Sequence, residues 1–303
     1  MDTNILLENG TNELEVLEFT LAGNSYGINV AKIREIITYQ PVTPIPNSHP
    51  SIEGIFMPRD TMITAIDLKN CLGRGESEPK GLFIVTNFNK LDIAFHVESV
   101  LGIHRVSWAD IIKPDVTISA ADESVATGII KKDGKLIIIL DFEKIVSDIN
   151  PETGLKMSEL SELGPRTRSN VPILIAEDSP LLNKLIVDSL KKAGYDNLIH
   201  TENGKQAYDV IMQCKEDGTL KDHVRCVITD IEMPEMDGHR LTKLLKSDDT
   251  TADIPVVIFS SLVNEEMKRK GEALGADAQL SKPEIGNLVK IIDQLVSEKH
   301  LDK

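Results

Sequence analysis

The chain is poor in aromatic residues, cysteine, long apolar runs and basic charge, and each shortage closes off a class of function. Phe, Trp and Tyr make up 4% of its 303 residues, with Trp108 the single tryptophan. That composition points to an aliphatic core and not to a stacked cofactor. Cys71, Cys214 and Cys226 are odd in number and share no metal-ligand spacing. They fit buried thiols in a reducing compartment better than a disulfide framework. No segment reaches the roughly 18 apolar residues needed to cross a bilayer, and Met1-Asp2-Thr3-Asn4 lacks the basic opening of a secretory signal. A cytoplasmic protein without membrane insertion is therefore expected. Lys and Arg number 33 against 48 Asp and Glu, for a net charge of −15. Residues 1–150 hold 13 basic against 21 acidic side chains, a balance of −8, and the remainder carries −7. Neither half offers a basic face for nucleic acid.

What is present suffices for two globular cores: 41% hydrophobic residues in a chain of this length. The front half reads as β. Residues 1–13 form an arm, helical through Ile5-Leu6-Leu7, and two strands follow between Glu13 and Asn29 around a Gly23-Asn24 turn. Val30, Ile33, Ile36 and Ile37 recur at helical spacing, predicting a short amphipathic helix that ends before Pro41, Pro44, Pro46 and Pro50. Strand-like runs cover 54–57, 62–66, 82–88, 92–97, 100–106, 125–131 and 135–140, the last two joined by Asp133-Gly134. Short strands with tight turns predict one or two small β-barrels. His49, His96 and His104 lack ligand spacing, and Gly73, Gly75 and Gly81 do not make a phosphate-binding loop. This half reads as a binding module, residues 14–148. A polar stretch, 149–170, reads as a linker with at most a helical turn or two at Leu155, Met157, Leu160 and Leu163.

From residue 171 to 299 the pattern changes to alternating apolar runs and amphipathic helices, a doubly wound flavodoxin-like α/β domain with a five-stranded parallel sheet. Chemistry gathers at its strand ends. Val171–Ala176 ends in Glu177-Asp178, Cys226–Ile228 leads to Asp230, Val256–Phe259 ends in Ser260, and Ala278–Leu280 ends in Ser281-Lys282-Pro283. Singly, each reads as a cap or a loop residue. Jointly, parallel strands bring the acids to one rim, where mutual repulsion favours a hard divalent cation such as Mg2+. Asp230 can then act as a nucleophile toward phosphorus, with Lys282 and Ser260 stabilising the transferred oxygens.

The acidic pair, Asp230 with its Met-Pro-x-Met-Asp-Gly tail, Ser260 and Lys282-Pro283 together resemble a response-regulator receiver domain. The resemblance implies that Asp230 accepts phosphate from a histidine kinase. It also implies that Glu177, Asp178, Asp230 and the Glu232 carbonyl ligate Mg2+, that Ser260 and Lys282 bind the acyl phosphate, and that the Lys282-Pro283 bond is cis. The family's switch aromatic is replaced by Gln279. In the front half, the Phe19–Ile37 segment, Gly54-Ile55 with Arg59, Ile66-Asp67-Leu68, Thr127-Gly128-Ile129 and Ile137–Asp141 resemble a CheW-type coupling domain. That family is built of two interlocked five-stranded barrels bridging chemoreceptor tips and a CheA-type histidine kinase. Pro58-Arg59-Asp60 stands where the family has Leu-Arg-Gly. The resemblance makes Arg59, and Ile33 and Glu35 on the exposed side of the first helix, candidate partner contacts.

The domain order is similar to CheV-type coupling proteins. It implies a chemotaxis coupler at membrane receptor arrays, regulated by phosphorylation of Asp230. The alternative is a phosphate sink localised by the coupling domain. An independent phosphatase ranks below both, because Glu232 stands where a double-aspartate motif needs its second aspartate, and no independent substrate turnover is expected.

Overall fold

Asn24 and Leu21 face each other across a two-residue turn, Ala22-Gly23, in which both residues take positive φ, 48° and 75°. This turn twists with the strands it joins, and it sets the register of β1 (Glu13–Leu21) and β2 (Asn24–Asn29). The computed structural model describes residues 12–88, 91–112, 125–132, 134–150, 166, 168–262, 265–282 and 284–298. The expected helical arm at 5–7, the turns at 155–163, Asp133 and the Lys282-Pro283 bond lie outside the described residues. The chain divides into two units, Leu14–Pro151 and a second formed by Met1–Glu13 with Glu152–Lys303.

The first unit is β, as expected. One sheet has the order β8-β1-β2-β10-β9, with β8 Ser99–Ser107, β9 Ala126–Lys132 and β10 Lys135–Leu140. The other has the order β3-β6-β7-β5-β4, with β3 Ile33–Thr38, β4 Ile52–Phe56, β5 Ile63–Asp67, β6 Leu82–Phe88 and β7 Leu91–Val97. Its five strands are consecutive in the chain and lie between β2 and β8. A short helix α1 (Leu68–Cys71) follows β5, and α2 (Phe142–Ile149) closes the unit, its first turn capped by Asp141, which accepts from Lys144 N at 2.9 Å. Both sheets and α2 share one core: Phe19 and Ile28, Ile84 and Phe95, Phe142 and Ile145. Phe142 meets Phe95 edge-on at 4.7 Å between ring centroids.

The helix expected over Val30–Ile37 is not formed. After one 3-10 turn, Val30–Lys32, the chain extends as β3, antiparallel to β6. A bulge between Ile33 and Glu35 explains the misreading. It sets Ile33 opposite Thr86 and Ile36 opposite Ile84, two apart on β6, so a three-residue spacing shares one side of a strand. The β-branched run Ile33, Ile36, Ile37, Thr38 also suits a pleated surface better than a helix.

The second unit has five parallel strands in the order β12-β11-β13-β14-β15. These are β11 Ile173–Ala176, β12 Leu198–Thr201, β13 Cys226–Thr229, β14 Val256–Ser260 and β15 Ala278–Ser281. Between and after them run α3 Pro180–Lys192, α4 Gly204–Glu216, the short α5 Leu220–His223, α6 Gly238–Lys246, α7 Glu265–Ala273 and α8 Ile285–Glu298. Continuous apolar strands follow from burial on both faces. Ile173, Ile175, Ile228, Val257 and Phe259 pack with Ile186 and Leu190 of α3 and Leu288 and Ile292 of α8. Leu174, Ala176, Val227 and Val256 pack with α4 and α6 through Ile211, Leu241 and Leu245. The end of the expected linker is bound to this unit: Arg166 Nε donates to the Ala193 carbonyl at 2.7 Å, and Ser169 N to the Gly194 carbonyl at 2.7 Å.

Candidate functional site

Strand order reverses beside β11, whose neighbours β12 and β13 lie on opposite sides. That arrangement opens a crevice beyond the carboxyl ends of the strands, and the chemistry-bearing residues sit there. Asp230 follows β13, with its amide donating to the Ala176 carbonyl at 3.0 Å. Glu177 and Asp178 follow β11, Ser260 ends β14, and Lys282 follows β15.

The loop after Asp230 is fixed from both ends. Met233 is fully buried among Leu241, Leu245 and Ile211, which anchors the loop in the core beneath α4 and α6. Asp237 then caps α6 by accepting from Arg240 N at 2.7 Å. Gly238 packs so closely under the strand end that a Cβ there would run into the Asp230 carbonyl. Glu235 between them takes positive φ, 64°, and its carboxylate accepts from Asn203 Nδ2 at 3.2 Å. Asn203, buried at the start of α4, belongs to the site's frame. Its only signal in the sequence is the Asn-Gly pair that opens α4.

Within the crevice, ligand oxygens of Glu177, Asp178 and Asp230 all lie within 4.8 Å of one another. Lys282 Nζ stands 2.7 Å from Asp230 Oδ2 and 3.1 Å from Glu177 Oε2. Asp230 Oδ1 accepts from Ile231 N at 2.6 Å. Glu177 and Asp230 are buried and Asp178 half-buried. Burial, reinforced by the charges of Asp230 and Asp178 and opposed by Lys282, pushes the Glu177 carboxyl well above the ordinary carboxylate range. An all-oxygen, crowded and partly desolvated donor set of this kind fits a hard divalent cation. Ser260 is fully buried beside Ser281, its register partner, and its Oγ accepts from Leu262 N at 3.2 Å. Glu232 is half-buried, two residues beyond Asp230 on the same loop.

The candidate partner contacts of the first unit fall differently from expectation. Ile33 and Glu35 belong to strand β3, not to the exposed side of a helix. Ile33 packs half-buried against the shared core. Glu35 is paired with Arg59 across the surface and also with Arg34, whose Nη2 lies at 3.1 Å. Arg34 in turn holds Asp92 at 2.7 Å. Arg59 is 76% exposed in a 3-10 turn, Pro58–Asp60, and both Arg59 and Asp60 take positive φ, 50° and 64°. Asp60 thus holds the left-handed backbone that glycine adopts without steric cost.

Residues 15–150 match the model of the CheW-like domain, and residues 173–293 match that of the response regulator receiver domain. The chemotaxis protein CheV3 of Helicobacter pylori is 28% identical over 301 residues, covering 94% of this chain and 96% of that protein. The chemotaxis protein CheW of Thermotoga maritima is 30% identical over 150 residues, 49% of this chain and 98% of that protein. The polar-differentiation response regulator DivK of Brucella anthropi is 34% identical over 114 residues, 37% of this chain and 83% of that protein.

Proposed function

The chain belongs to the CheV-type family, a CheW-like domain followed by a response regulator receiver domain, and from that premise we propose that it is a phosphorylation-regulated chemotaxis coupler. Its CheW-like domain bridges chemoreceptor cytoplasmic tips and a CheA-type histidine kinase at receptor arrays, with Arg59, Glu35 and Ile33 in the contact region. Its receiver accepts a phosphoryl group from the kinase on Asp230. The observation that carries this reading is the convergence of Glu177, Asp178, Asp230 and Lys282 in one crevice of a chain that also carries a CheW-like domain.

The residues divide the chemistry among them. One carboxylate oxygen of Asp230 attacks phosphorus as the bond from phosphorus to the donor's histidine nitrogen breaks, and the nitrogen leaves with the electron pair. Lys282 holds its ammonium against the Asp230 carboxylate, placed to neutralise charge on the transferred group. Ser260 turns its hydroxyl from Leu262 N to a phosphoryl oxygen. Glu177, Asp178, Asp230 and the Glu232 carbonyl hold Mg2+, which supplies positive charge that offsets both the carboxylate cluster and the phosphoryl oxygens. No independent substrate turnover belongs to this scheme.

Co-sedimentation with receptor-containing membranes and CheA-type kinase, with and without acetyl phosphate plus Mg2+, tests the proposal. The full-length protein should bind, and its binding should change on addition of phosphodonor, while Asp230→Asn binds without changing. Binding indifferent to phosphodonor would reduce the receiver to a phosphate sink. Absence of binding would remove the coupling role.

A further inference from the structure

The loop that follows Asp230 is gripped by a residue from the opposite end of the chain. Asn12 donates its Nδ2 to the Glu235 carbonyl at 2.9 Å, and its Oδ1 accepts from Asp237 N at 3.1 Å, across 223 and 225 residues of sequence. Asn12 belongs to Met1–Glu13, the stretch that groups with the receiver. Yet β1 of the CheW-like domain opens at the very next residue, Glu13.

Asparagine suits this position twice over. Its carboxamide donates and accepts at once, which an aspartate carboxylate cannot do. The two bonds fall on either side of Met236, so one side chain holds this main chain much as a residue on a neighbouring parallel strand would. Asn12 itself takes positive φ, 60°, a conformation asparagine reaches more readily than most residues with a Cβ. Asp237 is buried, and a buried amide needs a partner; Asn12 supplies one.

The start of α4 completes the frame. Gly204 N donates to the Met236 carbonyl at 3.1 Å, and a Cβ on Gly204 would meet that oxygen at 2.6 Å. With Asn203 on the Glu235 carboxylate, the three residues Glu235, Met236 and Asp237 are each bonded from outside the loop. Glu232 lies between Asp230 and this clamp. A carbonyl serves a metal well only where its backbone is held in place.

We propose that Asn12 is a positioning residue of the receiver: it sets the loop that carries the Glu232 carbonyl, so that Mg2+ binding at the acidic site depends on a residue placed ahead of the CheW-like domain. The proposal rests on the reading of that cluster as a Mg2+-dependent phosphoacceptor site. Asn12 acts through the main chain of Glu235 and Asp237. Whatever it lends to metal binding, bound metal returns to the grip.

Hydrogen exchange at the Asp237 amide and calorimetric titration with Mg2+ alone, both on the full-length protein, test it. The informative variant is Asn12→Gly, because glycine keeps the positive φ and loses only the carboxamide. Exchange at Asp237 should be about fivefold faster in Asn12→Gly, the measure of roughly one net hydrogen bond. Mg2+ should bind about fivefold more weakly to the variant, and should slow exchange at Asp237 in the wild type. Equal exchange in the two proteins would overturn the grip. Equal Mg2+ affinity, or wild-type exchange indifferent to Mg2+, would overturn its role at the metal site. A wild type that takes up no Mg2+ overturns the parent reading, and this proposal with it.

Discussion

Lys282 occupies the middle of a charge balance that its neighbours cannot keep without it. Its ammonium bridges Asp230 and Glu177 inside the crevice, with 6% of its side chain exposed. Removing one partner of a buried ionic cluster costs about 3 kcal/mol, because the remaining charges are left uncompensated. Lys282→Met should therefore lower the receiver's melting temperature in the absence of divalent metal. The gain in melting temperature on adding Mg2+ should be larger than in wild type, since metal then supplies the missing charge; calorimetry at several Mg2+ concentrations measures both. A second balance is set by His96. Its Nδ1 faces Glu53 Oε2 at 2.9 Å and its Nε2 the Lys80 carbonyl at 2.7 Å, between the rings of Tyr39 and Phe83. Burial works against the charge, but two acceptors and the nearby Asp67 outweigh it and raise the imidazole above its usual 6.5. The folded form then binds a proton that the unfolded chain releases. The stabilisation is complete below 6.5 and is lost as pH rises through the folded value. The difference in melting temperature between wild type and His96→Gln should shrink as pH is raised from 6 to 8.

At the scale of elements, legibility followed burial. β11, β13 and β14 are covered on both faces, so their apolar runs stood out, and each led directly to a candidate site residue. Pro180 and Gly194 bracket α3, one at its first position and the other at positive φ of 94° just past its end. β3 misled because a bulge converts strand alternation into a spacing that imitates a helix. The pairing partner that exposes the bulge, β6, begins 44 residues after β3 ends. α2 was overlooked because its burial depends on partners from both sheets that only the fold assembles. Its cap is nonetheless a local signal, an aspartate three residues before Lys144. Asp141→Ala should cost about 1 kcal/mol and should loosen the shared core, since α2 carries Phe142 and Ile145 into it. Urea unfolding of the CheW-like transition measures that loss.

At the scale of the whole chain, each core cluster among the described residues draws on one unit alone. Independent cores predict independent melting. A calorimetric scan should resolve two transitions, of which Mg2+ moves only the receiver's, and Asp230→Asn should weaken that shift while leaving the other in place. The order of domains and the rim of acids were legible from the chain because each rests on local runs and strand-end residues. The pairing of Glu35 with Arg59 was not, since it depends on how β3 and the 3-10 turn at Pro58–Asp60 meet across the second sheet.

The interruption of one sheet by another has a consequence for how the protein is made. β1 and β2 leave the ribosome before the other strands of the unit, yet β10, which pairs with β2, begins 106 residues after β2 ends. The five strands of the second sheet are contiguous and need only one another for hydrogen bonds, so they can pair while the remaining partners are still being translated. The half of the shared core on β1 and β2, with Phe19 and Ile28, stays open until Phe142 emerges. A nascent chain halted before that residue holds a formed sheet and an unfilled apolar face, the state in which a chaperone would find it.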